Sequence, residues 1–445
     1  MEYENKKLQQ FIKDPKKSFF KLALPITIGM IVQTLYNVVD AAYIGRLGSE
    51  SIAALTFTMP VFFMLIAINS GISSGTSSRI SRALGEKNYE LAGKVVLHGI
   101  IISIILAILI SIFGNVFVVK FFAGLGASGN TLKLAIDYFR IILFGQVFLF
   151  LVYLINNVFI AQGHSRIATK IQIFSFIVNL ILDPIFIYGF HLGVAGAAWA
   201  TFISFTTGFI YSILSLKKSP LPINFKLFKF DKKIILEILK VGIPGSFMIL
   251  FMSINGLFIN KFMSLFGNEY VAVYGIVNRL ESIAIMPVVA LSVALMTMVG
   301  MFYGAKRYDL LKSIIYFAIK AGLLLNLLLI LVFWLTPEIF LTIFTNDQNL
   351  INLAIPYLRL ELLTLPLALF TNIIGRALQG MGEGIPAFVI TVIRLIIITI
   401  PLTYIFIFVL NWDYLSPPIA AIIGGVLASL LAFYWLGVKL KKISL

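Results

Sequence analysis

The sequence has no cysteine and only three histidines among its 445 residues. Without cysteine there are no disulfide bonds and no thiolate metal ligands, and three histidines give little basis for a histidine-built metal centre. The P-loop, GxSxG, HExxH and EF-hand patterns are also absent, so neither ATP-driven transport nor catalysis by a known motif is predicted. We therefore expect neither an enzyme nor a resident metal or cofactor.

Charged residues are scarce as well, at 12% of the chain, about half of the fraction in an ordinary soluble domain. Hydrophobic residues make up 60%, and the mean hydropathy is +1.00. Apolar runs long enough to cross a bilayer recur along the chain, which predicts an all-α integral membrane protein with about twelve transmembrane helices. The predicted spans are 17–45, 53–78, 93–118, 134–160, 167–190, 193–216, 234–265, 271–300, 313–337, 351–378, 386–411 and 417–438.

The formal net charge of +16 could indicate nucleic acid binding, but the positions of the basic residues argue otherwise. When both chain ends and alternate loops are assigned to one side of the membrane, 26 of the 35 lysines and arginines lie on that side and five on the other. The positive-inside rule then predicts a cell membrane protein with both termini in the cytoplasm and no nucleic acid partner. The polar, lysine-rich start predicts no cleavable signal peptide.

The chain matches itself at an offset of 219 residues. Each half contains six predicted spans, so both halves enter the membrane in the same direction, and the repeat is the parallel type found in transporters. We predict an N-terminal lobe at 1–216, a cytoplasmic linker at 217–233 and a C-terminal lobe at 234–445, with substrate between the lobes. The matched pairs include Pro25 and Pro244, Gly48 and Gly267, Gly85 and Gly304, Tyr138 and Tyr357, and Gly163 and Gly382.

Four acidic residues lie well inside predicted spans, two in each half. An ionisable group at the centre of a membrane helix is costly, so such residues usually face a cavity or a partner and are functional. The two acids of the first half are Asp40 and Asp183. The offset of 219 places Ile259 and Leu402 at the corresponding positions of the second half. Acid chemistry at these positions therefore belongs to the first half alone.

Neutral polar residues accompany both of these acids at helical spacing. Residues three and four positions apart share one face of a helix, so each acid ends a polar stripe. Hydroxyl and amide groups can satisfy a carboxyl group in either protonation state, as a proton-coupled carrier requires. The predicted ion-coupling residues are Asp40, Asp183, Tyr36, Asn156, Asn179 and Thr201. The predicted substrate-cavity residues are Gln33, Asn37, Gln172 and Ser175.

Two further features leave alternatives open. Pro25 is either a hinge or a static kink of the first span. In the C-terminal lobe, two arginines and two glutamates could pair inside the bundle, either as packing determinants or as a cation site. This C-lobe polar cluster consists of Arg279, Glu281, Arg359 and Glu361, which Arg394 and Asn372 could join.

Three stretches of the chain resemble the multidrug and toxic compound extrusion family. The resemblance extends over nearly the whole chain and is closest to the DinF-like branch, whose N-lobe proton network matches the six predicted coupling residues. The chain departs from the NYGA segment of the family, where it has Phe302, Tyr303 and Gly304. The three stretches are LALPITIGMIVQTLYNVVDAAYIGRLGSESIAALTFTMP (22–60), NNVFIAQGHSRIA (156–168) and MVGMFYGAKRYD (298–309).

This resemblance implies a fold of the MATE/MOP type, a V-shaped cavity open to the outside and a bend of the first helix at Pro25. It also implies secondary active antiport, in which protons or sodium ions enter while cationic or amphipathic organic compounds leave. We expect a monomer in the lipid bilayer. One alternative is a lipid-linked oligosaccharide flippase of the same superfamily, although twelve spans and an acidic N-lobe favour the exporter. Another is a non-transporting membrane scaffold, in which polar stripes only specify helix packing.

Overall fold

A computed structural model describes residues 6–219, 221–223 and 228–443, and nearly all of them are helical. The first long helix begins at Pro15, where no amide hydrogen is needed, and Asp14 caps it by accepting a hydrogen bond of 3.2 Å from the Lys17 amide. The helices of the first half are α1 (Lys6–Lys13), α2 (Pro15–Gly45), α3 (Ser49–Gly85), α4 (Tyr89–Gly124), α5 (Gly129–Phe144), α6 (Gln146–Ala161), α7 (Ser165–Pro184) and α8 (Gly193–Leu216).

The second half runs through a similar series of helices. Each half also contains one π-helical segment, at Ile185–Gly189 directly after α7 and at Ile393–Thr399 between α15 and α16. The helices of the second half are α9 (Lys232–Ser264), α10 (Asn268–Gly304), α11 (Tyr308–Leu335), α12 (Pro337–Leu341), α13 (Gln348–Leu362), α14 (Thr364–Gly380), α15 (Ile385–Val392), α16 (Ile400–Phe408) and α17 (Ser416–Lys442).

The backbone repeats at the offset that the sequence predicts. α3 and α10 each have 37 residues, and their first and last residues are 219 positions apart. The residue before α3 is Gly48 with φ 114°, and the residue before α10 is Gly267 with φ 128°. Side chains disfavour these angles, so both turns require glycine. The predicted duplication of the fold is therefore confirmed.

The number of membrane-spanning helices agrees with the prediction, but one span has a different shape. Eleven helical segments of the described chain are long and apolar enough to cross a membrane, or twelve if α5 and α6 together form one broken span. The sequence predicted one continuous helix over 134–160, whereas α5 and α6 meet at Gly145 with a bend of 54°. A Cβ atom on Gly145 would lie 2.7 Å from the ring of Phe202. The bend thus depends on a residue without a side chain.

The two halves pack against each other mainly through α3, which contacts both α9 and α10. Every residue from Asn69 to Ser81 is buried. Near the ends of α3 and α10 the contact is reciprocal, because a Cβ atom on Gly85 would overlap the carbonyl oxygen of Met301, and one on Gly304 would overlap that of Arg82. Arg82 and Met301 are themselves 219 positions apart. The two helices therefore cross at equivalent positions of the repeat.

Ion pairs join the halves at this same end of the bundle. Arg79 of α3 forms a salt bridge with Glu237 of α9, and Arg82 lies 3.8 Å from the same carboxylate. Arg79 also lies 3.2 Å from Glu86, within its own half. Helices α2 and α9 begin at this end, and α17 ends at it. The halves are thus held together at the end of the bundle that carries the start and the end of the described chain.

The predicted linker, 217–233, lies partly outside the described residues, because 220 and 224–227 are not among them. Its last part packs on α4 of the first half. The backbone amide of Asp231 donates a hydrogen bond of 2.9 Å to Nε2 of His98, and the ring of Phe228 lies 4.9 Å from the His98 ring. Asp231 then caps α9 by accepting a hydrogen bond from the Lys233 amide. The start of the second half is therefore anchored to the first.

Candidate ion-coupling site and substrate cleft

Asp40 and Asp183 come together inside the first half. Asp40 lies on α2 and Asp183 near the end of α7, and these two helices pack closely. Asp183 is fully buried and Asp40 is 8% exposed, and their carboxyl groups are close enough for their charges to interact. Within the described residues, neither carboxylate forms a salt bridge. Two buried carboxylates without a protein counter-ion require a proton or a cation.

Seven buried polar atoms of the predicted coupling and cavity residues have no hydrogen-bond partner among the described residues. Buried polar groups are almost always hydrogen bonded, so a cluster of exceptions indicates a site that binds an ion or water. All six predicted coupling residues contribute an atom. The seven atoms are Tyr36 Oη, Asp40 Oδ1, Asn156 Oδ1, Ser175 Oγ, Asn179 Oδ1, Asp183 Oδ2 and Thr201 Oγ1.

Hydrogen bonding and stacking hold the remaining parts of this site. Asn179 lies one turn before Asp183 on α7, and its Nδ2 donates a hydrogen bond of 3.1 Å to Oδ1 of that acid. The hydroxyl of Tyr36 lies beside Thr201 of α8, and its ring stacks on Phe205 with centroids 6.1 Å apart. Helices α2, α7 and α8 therefore bring three of the predicted residues, Tyr36, Asn179 and Thr201, to the two acids. No hydrogen bond in the described chain links Asn156 to either acid, although it is buried in the same half.

Tyr138 and Ser204 also belong to this site, although the sequence analysis did not assign them to it. Tyr138 is buried on α5, close to Tyr36 and both aspartates. Ser204 lies beside the Tyr36 hydroxyl and donates a hydrogen bond of 2.9 Å to the carbonyl of Ser175. The repeat contained a signal for the tyrosine, because Tyr357 occupies the position equivalent to Tyr138 and is buried beside the two glutamates of the second half.

The four polar residues predicted to share one face of α2 are partly buried and partly exposed in the structure. Tyr36 and Asp40 are buried in the first half, whereas Gln33 and Asn37 are exposed. The exposed pair lies on the helix face between the buried acid and Thr34, whose hydroxyl is 3.8 Å from Sδ of Met286 on α10. Gln33 and Asn37 are therefore on the side of α2 that is turned toward the second half.

The other two predicted cavity residues lie within the first half. Ser175 is buried on α7, and Gly208 of α8 leaves the space that its hydroxyl occupies, because a Cβ atom there would overlap Ser175 Oγ. Gln172 is half-buried, and its amide lies against Gly29 of α2 in the same way. These close approaches explain why α2, α7 and α8 can pack tightly around polar groups. Neither residue lies on the exposed face that carries Gln33.

Two prolines lie on the helices that carry the acids. α2 continues through Pro25, and the hydroxyl of Thr169 on α7 donates a hydrogen bond of 2.6 Å to its carbonyl. On α7, Pro184 follows Asp183 and is succeeded by the π-helical turn Ile185–Gly189. Such turns occur frequently at functional sites. The acids are thus placed on helices whose regular hydrogen bonding is interrupted.

A cavity of about 190 Å³ lies within the second half. Glu281, Glu361 and Arg394 line it, together with Tyr357 and Asn372. Nη1 of Arg394 donates a hydrogen bond of 3.2 Å to the hydroxyl of Thr371. Arg394 is the second residue of the π-helical segment Ile393–Thr399. No group of three or more His, Cys, Asp or Glu side chains in the described ranges is arranged to hold a metal ion.

The sequence suggested that Arg279 and Arg359 could pair with the neighbouring glutamates inside the bundle, and the structure does not place them there. Both arginines are exposed, and the guanidinium of Arg359 lies 5.6 Å from the ring centroid of Trp334. Neither arginine forms a salt bridge with a described residue. Each arginine precedes its glutamate by two positions, and residues at that spacing face different sides of a helix. Arg394 supplies the positive charge of this cavity instead.

Comparison with known proteins agrees with this architecture. The family model MatE matches residues 25–185 and 244–405, so one match falls in each half and the two begin 219 positions apart. Two curated relatives cover most of the chain. The chain is 29% identical over 409 residues to "Multidrug export protein MepA" of Staphylococcus aureus (strain bovine RF122 / ET3-1), covering 90% of each chain. It is 26% identical over 399 residues to "Probable multidrug resistance protein YoeA" of Bacillus subtilis (strain 168), covering 87% of this chain and 86% of the relative.

Solved structures show the same fold. "Crystal structure of MATE in the bent conformation" superposes with a TM-score of 0.94 at 30% identity and covers 99% of this chain and 98% of that chain. "Outward-facing conformation of a multidrug resistance MATE family transporter of the MOP superfamily" superposes with a TM-score of 0.92 at 30% identity and covers 97% of both chains. The sequence matches in both halves and the shared fold lead to one assignment: the chain belongs to the MatE family of multi-pass membrane transporters.

Proposed function

We propose that the protein is a secondary active multidrug exporter that exchanges cationic or amphipathic organic compounds for protons or sodium ions. The observation that carries this proposal is the buried pair of Asp40 and Asp183, which has no protein counter-ion in the described chain and is surrounded by unpartnered oxygen atoms. The names of the relatives, a multidrug export protein and a probable multidrug resistance protein, support organic compounds as the substrate class.

Ion binding at this pair can act on the contact between the two halves. Two buried carboxylates repel each other when both are charged, and a bound proton or cation removes that repulsion. The change would alter how α2 packs on α7. α2 also contacts α10 of the second half, through Thr34 and Met286 among others. A helix that carries the coupling acid and also contacts the second half can link ion occupancy to the opening of the cleft.

The proposal places the substrate between the lobes 1–216 and 234–445, which the linker 217–233 joins. Gln33 and Asn37 would line the cleft from the first half, because they are exposed on the side of α2 turned toward the second half. The end closed by the ion pairs of Arg79 and Arg82 would face the cytoplasm, with both termini there, and the cleft would open to the outside of the cell membrane. A single copy of the chain contains both lobes, and we propose that it acts as a monomer.

Transport by purified protein in liposomes tests this proposal. The probe is the fluorescent cation rhodamine B ethyl ester, and either a pH gradient or a sodium gradient is imposed. The unaltered chain should move the probe only with the gradient of its coupling ion. Asp40→Asn should abolish gradient-driven movement, because the amide keeps hydrogen bonding but cannot change its charge. Glu269→Gln removes an exposed acid at the start of α10 and should transport normally.

Each alternative function gives a different result in this assay. A scaffold would move no probe under any gradient, and that outcome would exclude the exporter. A flippase would also leave the rhodamine probe unmoved, and it would differ from a scaffold by moving a lipid-linked oligosaccharide added to the same liposomes. Unchanged gradient-driven transport by Asp40→Asn would leave the export activity intact but would remove Asp40 from the coupling site.

A further inference from the structure

Arg376 on α14 is a cation at the boundary between the halves that has no acidic partner in the described part of the chain. Its Nη1 donates hydrogen bonds of 3.1 Å to Ser74 Oγ on α3 and of 3.0 Å to Gln379 Oε1. Both partners are neutral, and none of the salt bridges includes this arginine. The predicted topology puts Arg376, near the end of the span 351–378, among the 26 basic residues of the cytoplasmic side, whereas in the structure its side chain contacts α3 inside the bundle.

The surroundings of Arg376 come from both halves. Nη1 lies 4.0 Å from Sδ of Met296 on α10, and Gln379 contacts Met248 on α9. From the first half, Ser74 of α3 binds it directly, and Tyr153 of α6 lies within electrostatic range. Protein from five helices thus surrounds the guanidinium group. The side chain is half-buried, and its contacts place it at the boundary between the two halves.

One edge of the guanidinium group is free. Nη1 is held by the two neutral partners, whereas Nε and Nη2 have no acceptor among the described residues and are not fully buried. Elsewhere in the chain, Arg307 shows what this edge binds. Its Nε donates to Oδ1 of Asp309 at 3.0 Å, and its Nη2 donates to Oδ2 at 2.8 Å. The pair Nε and Nη2 therefore matches a carboxylate as a two-pronged partner.

We propose that Arg376 binds a carboxylate group of the transported compound through Nε and Nη2, so that the substrate range includes amphipathic compounds that carry a carboxylate. The inference rests on the proposed function, since it places substrate between the halves. A charged side chain inside a membrane bundle without a counter-ion is functional by default. Because Ser74 and Gln379 already orient the guanidinium group, binding costs little ordering of the side chain.

A matched pair of dyes tests the proposal. Rhodamine B carries a free carboxylate, and its ethyl ester has the same ring system without that charge. Fluorescence polarisation with purified protein measures the affinity for each dye. Arg376→Gln should weaken binding of rhodamine B by about tenfold or more and leave the ester within about twofold, because only the acid loses a charge-assisted pair of hydrogen bonds. Arg376→Lys keeps the positive charge but lacks the paired N–H donors of the guanidinium group, so its affinity for rhodamine B should be intermediate. Arg359→Gln, which alters an exposed arginine, should change neither affinity.

The results that contradict the proposal are distinct from those that contradict export. If Arg376→Gln weakened the binding of both dyes equally, the residue would only support the packing of α14 on α3. Unchanged binding of rhodamine B would overturn the assignment outright. If Arg376→Gln does not fold, Arg376→Lys and Ser74→Ala give the same comparison of the two dyes. Failure of the exporter would instead be seen as the absence of gradient-driven movement of the ester by the unaltered chain.

Discussion

Ser175 and Arg394 occupy equivalent positions of the internal repeat, 219 residues apart, and they give the two halves different chemistry. Ser175 lies on α7, the helix that carries Asp183, and offers a neutral hydroxyl together with a backbone carbonyl that accepts a hydrogen bond from Ser204 of α8. Arg394 places a positive charge in the cavity lined by Glu281 and Glu361. The acids of the first half therefore have no protein counter-ion in the described chain, whereas the acids of the second half face one.

This difference predicts that coupling depends on the first half. Asp40→Asn should flatten the dependence of transport on pH, because the group that changes charge is lost. Glu281→Gln should keep the pH dependence and instead lower the yield of folded protein or narrow the substrate range, because it removes one of the two acids that face Arg394. The measurement is transport against pH for both variants in liposomes, with and without sodium. If only Glu281→Gln flattens the profile or removes a sodium requirement, the coupling site lies in the second half.

Periodicity and the repeat predicted much of this arrangement. The offset that pairs Gly48 with Gly267 gave the duplicated fold, because glycine is required wherever the backbone turns with positive φ. The spacing of Tyr36, Asp40 and Asn179 on their helices predicted polar faces, and the structure buries all three side chains in the first half. Their part in ion coupling stays a prediction, since burial does not show which ion they bind.

Other features depend on contacts between distant parts of the chain. The bend at Gly145 depends on the ring of Phe202, more than fifty residues away along the sequence. Arg376 looked like a cytoplasmic residue because the positive-inside rule counts charges and does not show which side of a helix they face. The pairing of Arg279 with Glu281 could have been rejected from the sequence, since residues two apart do not share a helix face.

A second prediction concerns the hydrogen bond between Asn179 and Asp183. Asn179→Ala should remove a bond to an acid, worth about 1.5–3 kcal/mol when the acid is charged, and should slow gradient-driven export without preventing insertion. Asn157→Ala is the matched control, because Asn157 is half-buried in the same half and its side-chain amide donates to the Tyr153 carbonyl of its own helix. Transport rates normalised to folded protein give the comparison. Equal rates for the two variants would mean that Asn179 does not support the site.

A third prediction concerns topology. Because the chain has no cysteine, single cysteines can be introduced without background labelling. Ser49→Cys and Asn268→Cys begin equivalent helices of the two halves, and both should react with an impermeant thiol reagent added to intact cells. Lys217→Cys, which directly follows α8, should react only after the cells are opened. External labelling of Lys217→Cys would reverse the predicted orientation.

A fourth prediction uses two glycines of the same helix. Gly304→Ala should push α10 away from the carbonyl of Arg82 and cost about 1–3 kcal/mol of contact between the halves. Gly275→Ala adds the same methyl group where no atom lies within 4 Å, and it should be neutral or stabilising by up to about 1 kcal/mol. Thermal unfolding in detergent distinguishes the two. A similar unfolding temperature for both variants would show that the close crossing of α3 and α10 contributes little.

The last prediction concerns the ion pairs at the closed end of the bundle. Glu237→Gln leaves Arg79 and Arg82 without their partner from α9. Losing an exposed ion pair costs about 1 kcal/mol of stability and breaking a buried one about 3 kcal/mol, and we expect a loss between these two values. Since this pair exists only while the halves touch, the variant should populate states that are open at this end more often, by about tenfold.

Labelling of a buried position reports that change directly. Ser78 lies in the continuously buried part of α3, and its hydroxyl donates a hydrogen bond to the Gln379 carbonyl of the second half, so Ser78→Cys should react slowly with a thiol reagent while the halves are in contact. Adding Glu237→Gln should raise the rate, because the cysteine becomes accessible only when the halves separate. Glu90→Gln is the matched control, since it breaks the exposed ion pair with Lys94 within α4 and should leave the rate unchanged. If both acid substitutions gave the same slow labelling, the crossing of α3 with α9 and α10 would hold the halves together without help from these charges.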